Sequence, residues 1–162
     1  PTEADGPKIF EACKANDIWT AVEADWHHVM YLDRLDHARR LLGNLAYTLL
    51  PQVVSADLCD SSRIDRSLLH LVDYLFVSDC QENSVLGKAL PVRRGVIIHH
   101  PGGSYFQDPD GHLVEWAAVE TVDGLNVVGA GDYFAAFCIA NFMKRGGPDL
   151  RDAHARTLEL LR

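Results

Sequence analysis

A glycine-rich segment late in the chain, at residues 126–137, reads NVVGAGDYFAAF. Two glycines flank an alanine, an acid follows, and an apolar helical pattern begins there. Glycine lets a backbone approach a ligand closely and adopt conformations that other residues avoid. The first turn of a helix adds free N–H groups and the positive end of the helix dipole. The segment therefore predicts an anion-binding turn suited to a phosphate group.

Asp132 is the acid in this turn. A carboxylate beside a bound phosphate can accept the proton of an alcohol as the alcohol attacks the phosphorus atom. A second interpretation is that residues 129–132 form only a tight loop, with Asp132 as the N-cap of the helix. The context favours the first interpretation, because the segment follows β-rich sequence and opens a helix rich in small and aromatic residues.

Strand and helix patterns alternate along the rest of the chain. Short apolar runs predict strands at 53–58, 74–77 and 95–98. The predicted helices lie within 35–49, around 64–71, around 81–86, from about 132 to 144, and after Asp149. Apolar strands separated by helices imply a parallel sheet that is covered on both faces.

A hairpin is predicted where this alternation changes character. The runs 104–107 and 113–116 flank the turn sequence Asp-Pro-Asp-Gly at 108–111. We therefore expect a single α/β domain over residues 1–162. Its predicted architecture is a three-layer α/β/α sandwich with a mostly parallel central sheet and a β-hairpin at the sheet edge.

The composition argues against several classes of function. The chain has 162 residues and a net charge of −8, so it lacks the excess of cations that a nucleic-acid surface needs. No apolar run approaches the ~20 residues of a membrane span, and no membrane partner is expected. Four cysteines without a C-x-x-C pair favour a reducing compartment, and we expect a cytoplasmic protein; they are Cys13, Cys59, Cys80 and Cys138.

Residues 129–134, GAGDYF, resemble the signature D-T-x-G-A-G-D-x-F of the PfkB (ribokinase-like) carbohydrate kinases. Four further stretches agree in order and spacing. Residues 25–29 resemble the family's strand leading out of the substrate half, and 54–58 its D-L-N strand; 72–77 resembles the strand before its N-x-x-E motif, and 95–104 its T-x-G-x-x-G nucleotide loop. The resemblance covers nearly the whole chain but only about the C-terminal half of a family member. It implies that the N-terminal substrate and lid portion is absent from this chain.

The resemblance implies an ATP-dependent kinase that uses Mg²⁺ and phosphorylates a hydroxyl of a sugar or related small molecule. Asp132 would be the catalytic base. The implied anion hole is Gly129, Ala130 and Gly131, and the implied nucleotide-binding residues are Gly102, Gly103, Ser104 and Asn126. Asp79 and Glu82 are the candidates to organise the magnesium indirectly. A homodimer is also compatible with the resemblance, although the family's dimer contacts usually come from the lid.

Several positions depart from the family pattern. Asn126 and Val127 stand where the family has Asp and Thr, the N-x-x-E motif reads Ser-Asp-Cys-Gln at 78–81, and Ile-His-His at 98–100 replaces T-x-G. His100 in place of glycine is expected to obstruct close backbone approach of a nucleotide. Two alternatives to an active sugar kinase therefore stay open: a catalytically inactive binding or scaffold protein, and a nucleoside kinase of the same fold. Adjacent histidines on a strand face opposite sides, so 99–100 does not predict a metal site.

Overall fold

Six strands and three α-helices carry the fold in the part of the chain that the computed structural model describes, residues 24–35, 37–46, 52–58, 65–78, 85–100, 102–119 and 128–162. The strands are β1 Trp26–Val29, β2 Val53–Leu58, β3 Tyr74–Ser78, β4 Gly95–His100, β5 Gly103–Gln107 and β6 Leu113–Ala118. The helices are α1 Ala38–Ala46, α2 Ala130–Arg145 and α3 Leu150–Leu161, with short 3-10 helices at Leu32–Arg34 and Arg66–Leu71. Within these described ranges, no helix is long and apolar enough to cross a membrane.

The strands form a mixed sheet in which their order follows the sequence from β1 to β6. β1 runs parallel to β2, whereas β4, β5 and β6 form an antiparallel meander. The predicted α/β class and the β-hairpin at the sheet edge are confirmed. The described pairings are more antiparallel than the sequence predicted, because β5 has an antiparallel neighbour on both sides.

Contacts divide the chain into two compact units. The first comprises Pro1–Leu75 and Pro91–Arg94, and the second comprises Phe76–Leu90 and Gly95–Arg162. The boundary falls within β3. The expectation of a single domain stays a prediction.

In the first unit, a buried carboxylate organises the start of β3. Asp73 is 4% exposed, accepts a hydrogen bond from the Val54 N–H at 2.9 Å and lies 3.2 Å from Nε of Arg94. The Arg94 guanidinium lies 6.0 Å from the centre of the Tyr74 ring, and that ring stacks on Trp26 at 5.4 Å. A buried charge is tolerated where it is paired and hydrogen-bonded, so Asp73 has a structural role.

The two helices predicted around 64–71 and around 81–86 have different outcomes. The helix expected around 64–71 is the 3-10 helix Arg66–Leu71, which opens at Asp65, where the carboxylate accepts the Ser67 N–H at 2.9 Å. It ends at Val72, whose backbone is extended. The helix expected around 81–86 lies mostly outside the described residues.

In the second unit, a buried glutamine ties the chain before β4 to the hairpin. The Gln107 side chain is 1% exposed, and its Oε1 accepts the Gly87 N–H at 2.9 Å. Its Nε2 donates to the carbonyls of Val85 and Lys88, both at 3.2 Å. Because every one of these polar atoms is satisfied, the buried amide stabilises the connection without the cost of an unpaired group.

A tight turn joins α2 to α3. Gly146 caps the end of α2 with φ 80°, a conformation that favours glycine. The Asp149 carboxylate caps α3 by accepting the Asp152 N–H at 3.2 Å. The Leu150 N–H, the first of α3, donates to Oε1 of Glu115 on β6 at 2.8 Å. The predicted end of α2 near residue 144 and the predicted start of α3 after Asp149 are therefore both confirmed.

Candidate active site

The segment 128–134 opens α2 in the second unit. Gly129 is the N-cap with φ 81° and ψ 0°, and its carbonyl accepts the Tyr133 N–H at 3.0 Å. Ala130, Gly131 and Asp132 are therefore the first three helical residues. The N–H groups at these positions have no acceptor within a helix, so the turn has the geometry that attracts an anion.

Asp132 is half-buried in the first turn of α2 and is not the N-cap. The helix starts two residues earlier than the predicted start at 132, because Gly129 adopts the left-handed conformation that lets the helix begin directly after it. The capping interpretation of Asp132 is therefore wrong. A carboxylate in the first turn is stabilised by the helix dipole, and it stands next to the N–H groups that would hold a phosphate.

The ring of His99, near the end of β4, lies against this turn. A Cβ built on Gly131 would stand 3.1 Å from Cε1 of His99, closer than most side-chain contacts. The His99 ring also packs on Phe134, with ring centres 5.5 Å apart. Glycine at position 131 thus keeps room for the imidazole beside the backbone of the turn.

The 102–104 loop, the predicted nucleotide-binding residues at the junction of β4 and β5, is largely built into the sheet, because Gly103 and Ser104 are the first residues of β5. A Cβ on Gly103 would stand 2.3 Å from the Ala117 carbonyl oxygen, and the φ of 152° at this residue also favours glycine. Ser104 is 1% exposed, and its Oγ lies 2.9 Å from Nε2 of His154 on α3. Of the three residues, Gly102 alone is exposed.

The His100 side chain folds back onto this loop. Its Nδ1 accepts the Gly102 N–H at 3.2 Å, and its ring stacks on Tyr105 with centres 5.6 Å apart. His99 and His100 therefore face opposite sides of β4, as expected for adjacent strand residues. The Gly102 N–H is thus already engaged by a side chain of the protein.

His154 is a residue of this site that sequence patterns did not indicate. Burial, with smaller contributions from the nearby His99 and His100, lowers its pKa to about 4. At neutral pH the His154 imidazole is therefore uncharged, with one ring nitrogen as a donor and the other as an acceptor. It lies in an amphipathic helix with no motif around it, so its neighbours are known only from the structure.

The remaining predicted site residues, Asn126, Asp79 and Glu82, lie outside the described residues. Among the residues that are described, one group has the spacing to hold a cation, Asp108 with Asp110 and His112 in the hairpin turn. This group is accounted for by the turn, because the Asp108 carboxylate accepts the His112 N–H at 2.8 Å. In the first turn of α2, the backbone N–H groups suit a phosphate, and the Asp132 carboxylate offers Mg²⁺ one hard ligand.

Solved structures of ribokinase-family kinases have this fold. A putative ribokinase II from E. coli, in complex with ATP and Mg²⁺, has a TM-score of 0.62 and 16% identity over 87% of this chain and 52% of that one. A nucleoside kinase of Burkholderia thailandensis in complex with inosine has a TM-score of 0.59 and 19% identity over 85% and 49%. A pyrophosphate-dependent kinase of the ribokinase family, complexed with a pyrophosphate analog and myo-inositol, has a TM-score of 0.61 and 14% identity over 88% and 58%.

The chain spans about half the length of these structures. No protein-family model matches the sequence, and no curated protein matches it. The likeness to the solved structures, the mixed sheet and the helix that opens at residues 129–132 agree with one another. The chain has the α/β fold of the ribokinase-like (PfkB) carbohydrate kinases.

Proposed function

We propose that this chain carries the catalytic portion of a phosphotransferase that moves the γ-phosphoryl group of ATP to a hydroxyl of a sugar or a related small molecule. In this proposal, Asp132 accepts the proton of the attacking hydroxyl as the new P–O bond forms. The N–H groups of residues 129–131 hold the charge of the transferred phosphoryl group. Mg²⁺ bound to the nucleotide would neutralise the phosphates when present.

The observation that carries the proposal is the position of Asp132 in the first turn of α2. This helix begins directly after its N-cap, Gly129, which contributes no side chain. A base and an anion-binding backbone thus occupy the same turn. This is the pairing that phosphoryl transfer requires, because catalysis there depends on positioning and on electrostatic stabilisation. The acceptor class is not distinguished by this turn, and the similar structures include both a nucleoside kinase and an inositol-binding kinase.

A second candidate function is a catalytically inactive binding protein. The observation that favours it is His100, at a position where the family pattern has glycine. The His100 ring accepts the Gly102 N–H and stacks on Tyr105. A loop whose donor is already used gains less from binding a nucleotide. The position of Asp132 in the first turn of α2 favours the active enzyme as the first candidate.

The test is titration of the full-length protein with Mg-ATP by calorimetry, followed by phosphotransfer assays with a panel of sugars and nucleosides. Pyrophosphate is included as a donor, because a similar structure is a pyrophosphate-dependent kinase. Saturable binding and transfer to one acceptor, lost in Asp132→Asn, supports the proposal. Failure to bind any donor supports the inactive binding protein instead.

A further inference from the structure

One side chain of α3 touches both the 102–104 loop and the helix that carries Asp132. Nε2 of His154 lies 2.9 Å from Oγ of Ser104, the last residue of that loop. The His154 ring also packs on Phe134, with centres 4.4 Å apart and a tilt of 32°. Phe134 follows Asp132 by two residues in α2. His154 therefore connects two elements that the sequence separates by a β-hairpin.

The neighbours of His154 leave its ring little freedom to move independently. Ser104 is 1% exposed and Phe134 is 2% exposed, while His154 itself is half-buried. His99 lies on Phe134 as well, with ring centres 5.5 Å apart, and it stands opposite Ser104 in the β4–β5 pairing. Ser104, His154 and Phe134 thus form a continuous series of contacts, the kind of packing through which a closely packed interior transmits strain.

The neutral state of His154 allows its hydrogen bond to Ser104 to persist at physiological pH. Burial holds its pKa at about 4, so the hydrogen bond to Ser104 joins two neutral groups at physiological pH. A hydroxyl and a neutral imidazole can each donate or accept, and the pair stays satisfied in either direction.

We propose that His154 is a positioning residue that couples the 102–104 loop to the first turn of α2, so that the position of Ser104 sets the position of Asp132. The catalytic part of this inference rests on the proposed phosphotransferase function. The coupling itself requires no ligand and can be measured without one. His154 acts through Ser104 and Phe134 and makes no contact with substrate in this scheme.

The ligand-free experiment follows the amide resonances of Gly131 and Asp132 by two-dimensional NMR of the full-length protein. Ser104→Ala is introduced into the wild type and into His154→Leu, which keeps the bulk of the side chain but removes its hydrogen bond. We expect Ser104→Ala to shift both resonances in the wild type and to leave them in place in His154→Leu. Equal shifts in the two backgrounds overturn the coupling.

The second experiment measures turnover and uses His154→Gln as the conservative variant, because the glutamine amide can restore a bond to Ser104. We expect His154→Leu to lower kcat about tenfold, the effect of one lost neutral hydrogen bond, with the KM of the acceptor unchanged. His154→Gln is expected to recover most of kcat. The matched control is His112→Leu in the exposed hairpin turn, which should behave as the wild type. Equal kcat in His154→Leu and the wild type overturns the positioning role.

The two experiments separate this inference from the proposed function. A wild type that transfers no phosphate from any donor contradicts the function, while the NMR shifts still decide the coupling. A fall in kcat in His154→Leu that His154→Gln does not recover overturns the role of the Ser104 bond. A thermal unfolding scan of each variant identifies any loss that comes from unfolding alone.

Discussion

The two glycine-rich segments of the second unit differ in their side-chain surroundings. The turn at 129–131 has no side-chain cap and places Asp132 beside its N–H groups. At the 102–104 loop, the Gly102 N–H is engaged by His100 and the Ser104 hydroxyl by His154. The turn keeps the features that phosphoryl transfer uses, whereas the loop is filled by side chains of the same chain. Similar glycine patterns thus do not imply equally accessible binding sites.

The largest effect is expected at the open turn. Asp132→Asn keeps the size of the side chain but removes the base, so we expect kcat to fall about a thousandfold. The free energy of unfolding should change by less than about 1 kcal/mol, the value of one charge near a helix N-terminus. Steady-state assays and thermal unfolding measure the two quantities, with Asp110→Asn in the hairpin turn as the control. Wild-type turnover in Asp132→Asn would contradict the role of the 129–132 turn in phosphoryl transfer.

The filled loop predicts a loss of stability where a side chain has no room. Gly103→Ala places a Cβ 2.3 Å from the Ala117 carbonyl oxygen and forces a φ that alanine avoids. We expect the free energy of unfolding to fall by about 3 kcal/mol, measured by chemical denaturation. Gly147→Ala is the matched control, since no atom lies within 4 Å of a Cβ at Gly147. A neutral Gly103→Ala would contradict the tight approach of β5 to β6.

Removing a side chain from the 102–104 loop is expected to have a smaller effect, and a favourable one, on nucleotide affinity. His100→Gly releases the Gly102 N–H and removes the ring that stacks on Tyr105, so we expect the Kd for Mg-ATP to fall about fivefold. Calorimetry of the full-length protein measures the change, with His112→Gly as the control for loss of a histidine. An unchanged or weaker Kd would mean that His100 does not limit nucleotide access.

The most gradual effect is a dependence of stability on pH. His154 has a pKa of about 4 in the folded state, below the 6.5 of a free histidine. The unfolded chain therefore binds the proton more readily, and stability falls as the pH drops from about 6.5 towards 4. Thermal melts over this range should fall less steeply in His154→Gln than in the wild type. His28, whose pKa burial also lowers to about 4, keeps part of the slope in both proteins; parallel curves would contradict the prediction.

The sequence predicted the elements whose boundaries are set by local chemistry. The turn residues between the strands of the hairpin, the glycine after α2 and the Asp149 cap of α3 each determine their own backbone, and all three are confirmed. The start of α2 was predicted two residues late, because the left-handed Gly129 determines it and a sequence pattern does not give a backbone angle.

Side-chain contacts between elements that are distant in the sequence could not be predicted from local patterns. His154 and Ser104 are fifty residues apart, and nothing in the spacing of α3 distinguishes His154 from a surface histidine. The obstruction by His100 was expected from its substitution for glycine, but its bond to Gly102 depends on the loop geometry. Packing of one element on another sets these contacts, so a sequence that specifies each element locally leaves them undetermined.

The buried amide of Gln107 has a consequence for hydrogen exchange. It accepts from Gly87 and donates to two carbonyls, so it serves residues 85–88 as a backbone peptide group of a neighbouring strand would. The Gly87 amide hydrogen should consequently exchange with solvent at the slow rate of a sheet residue, although Gly87 lies in a turn and is itself exposed. Protection from exchange is thus expected beyond the helices and strands, where a buried side chain such as Gln107 accepts a backbone N–H as a neighbouring strand would.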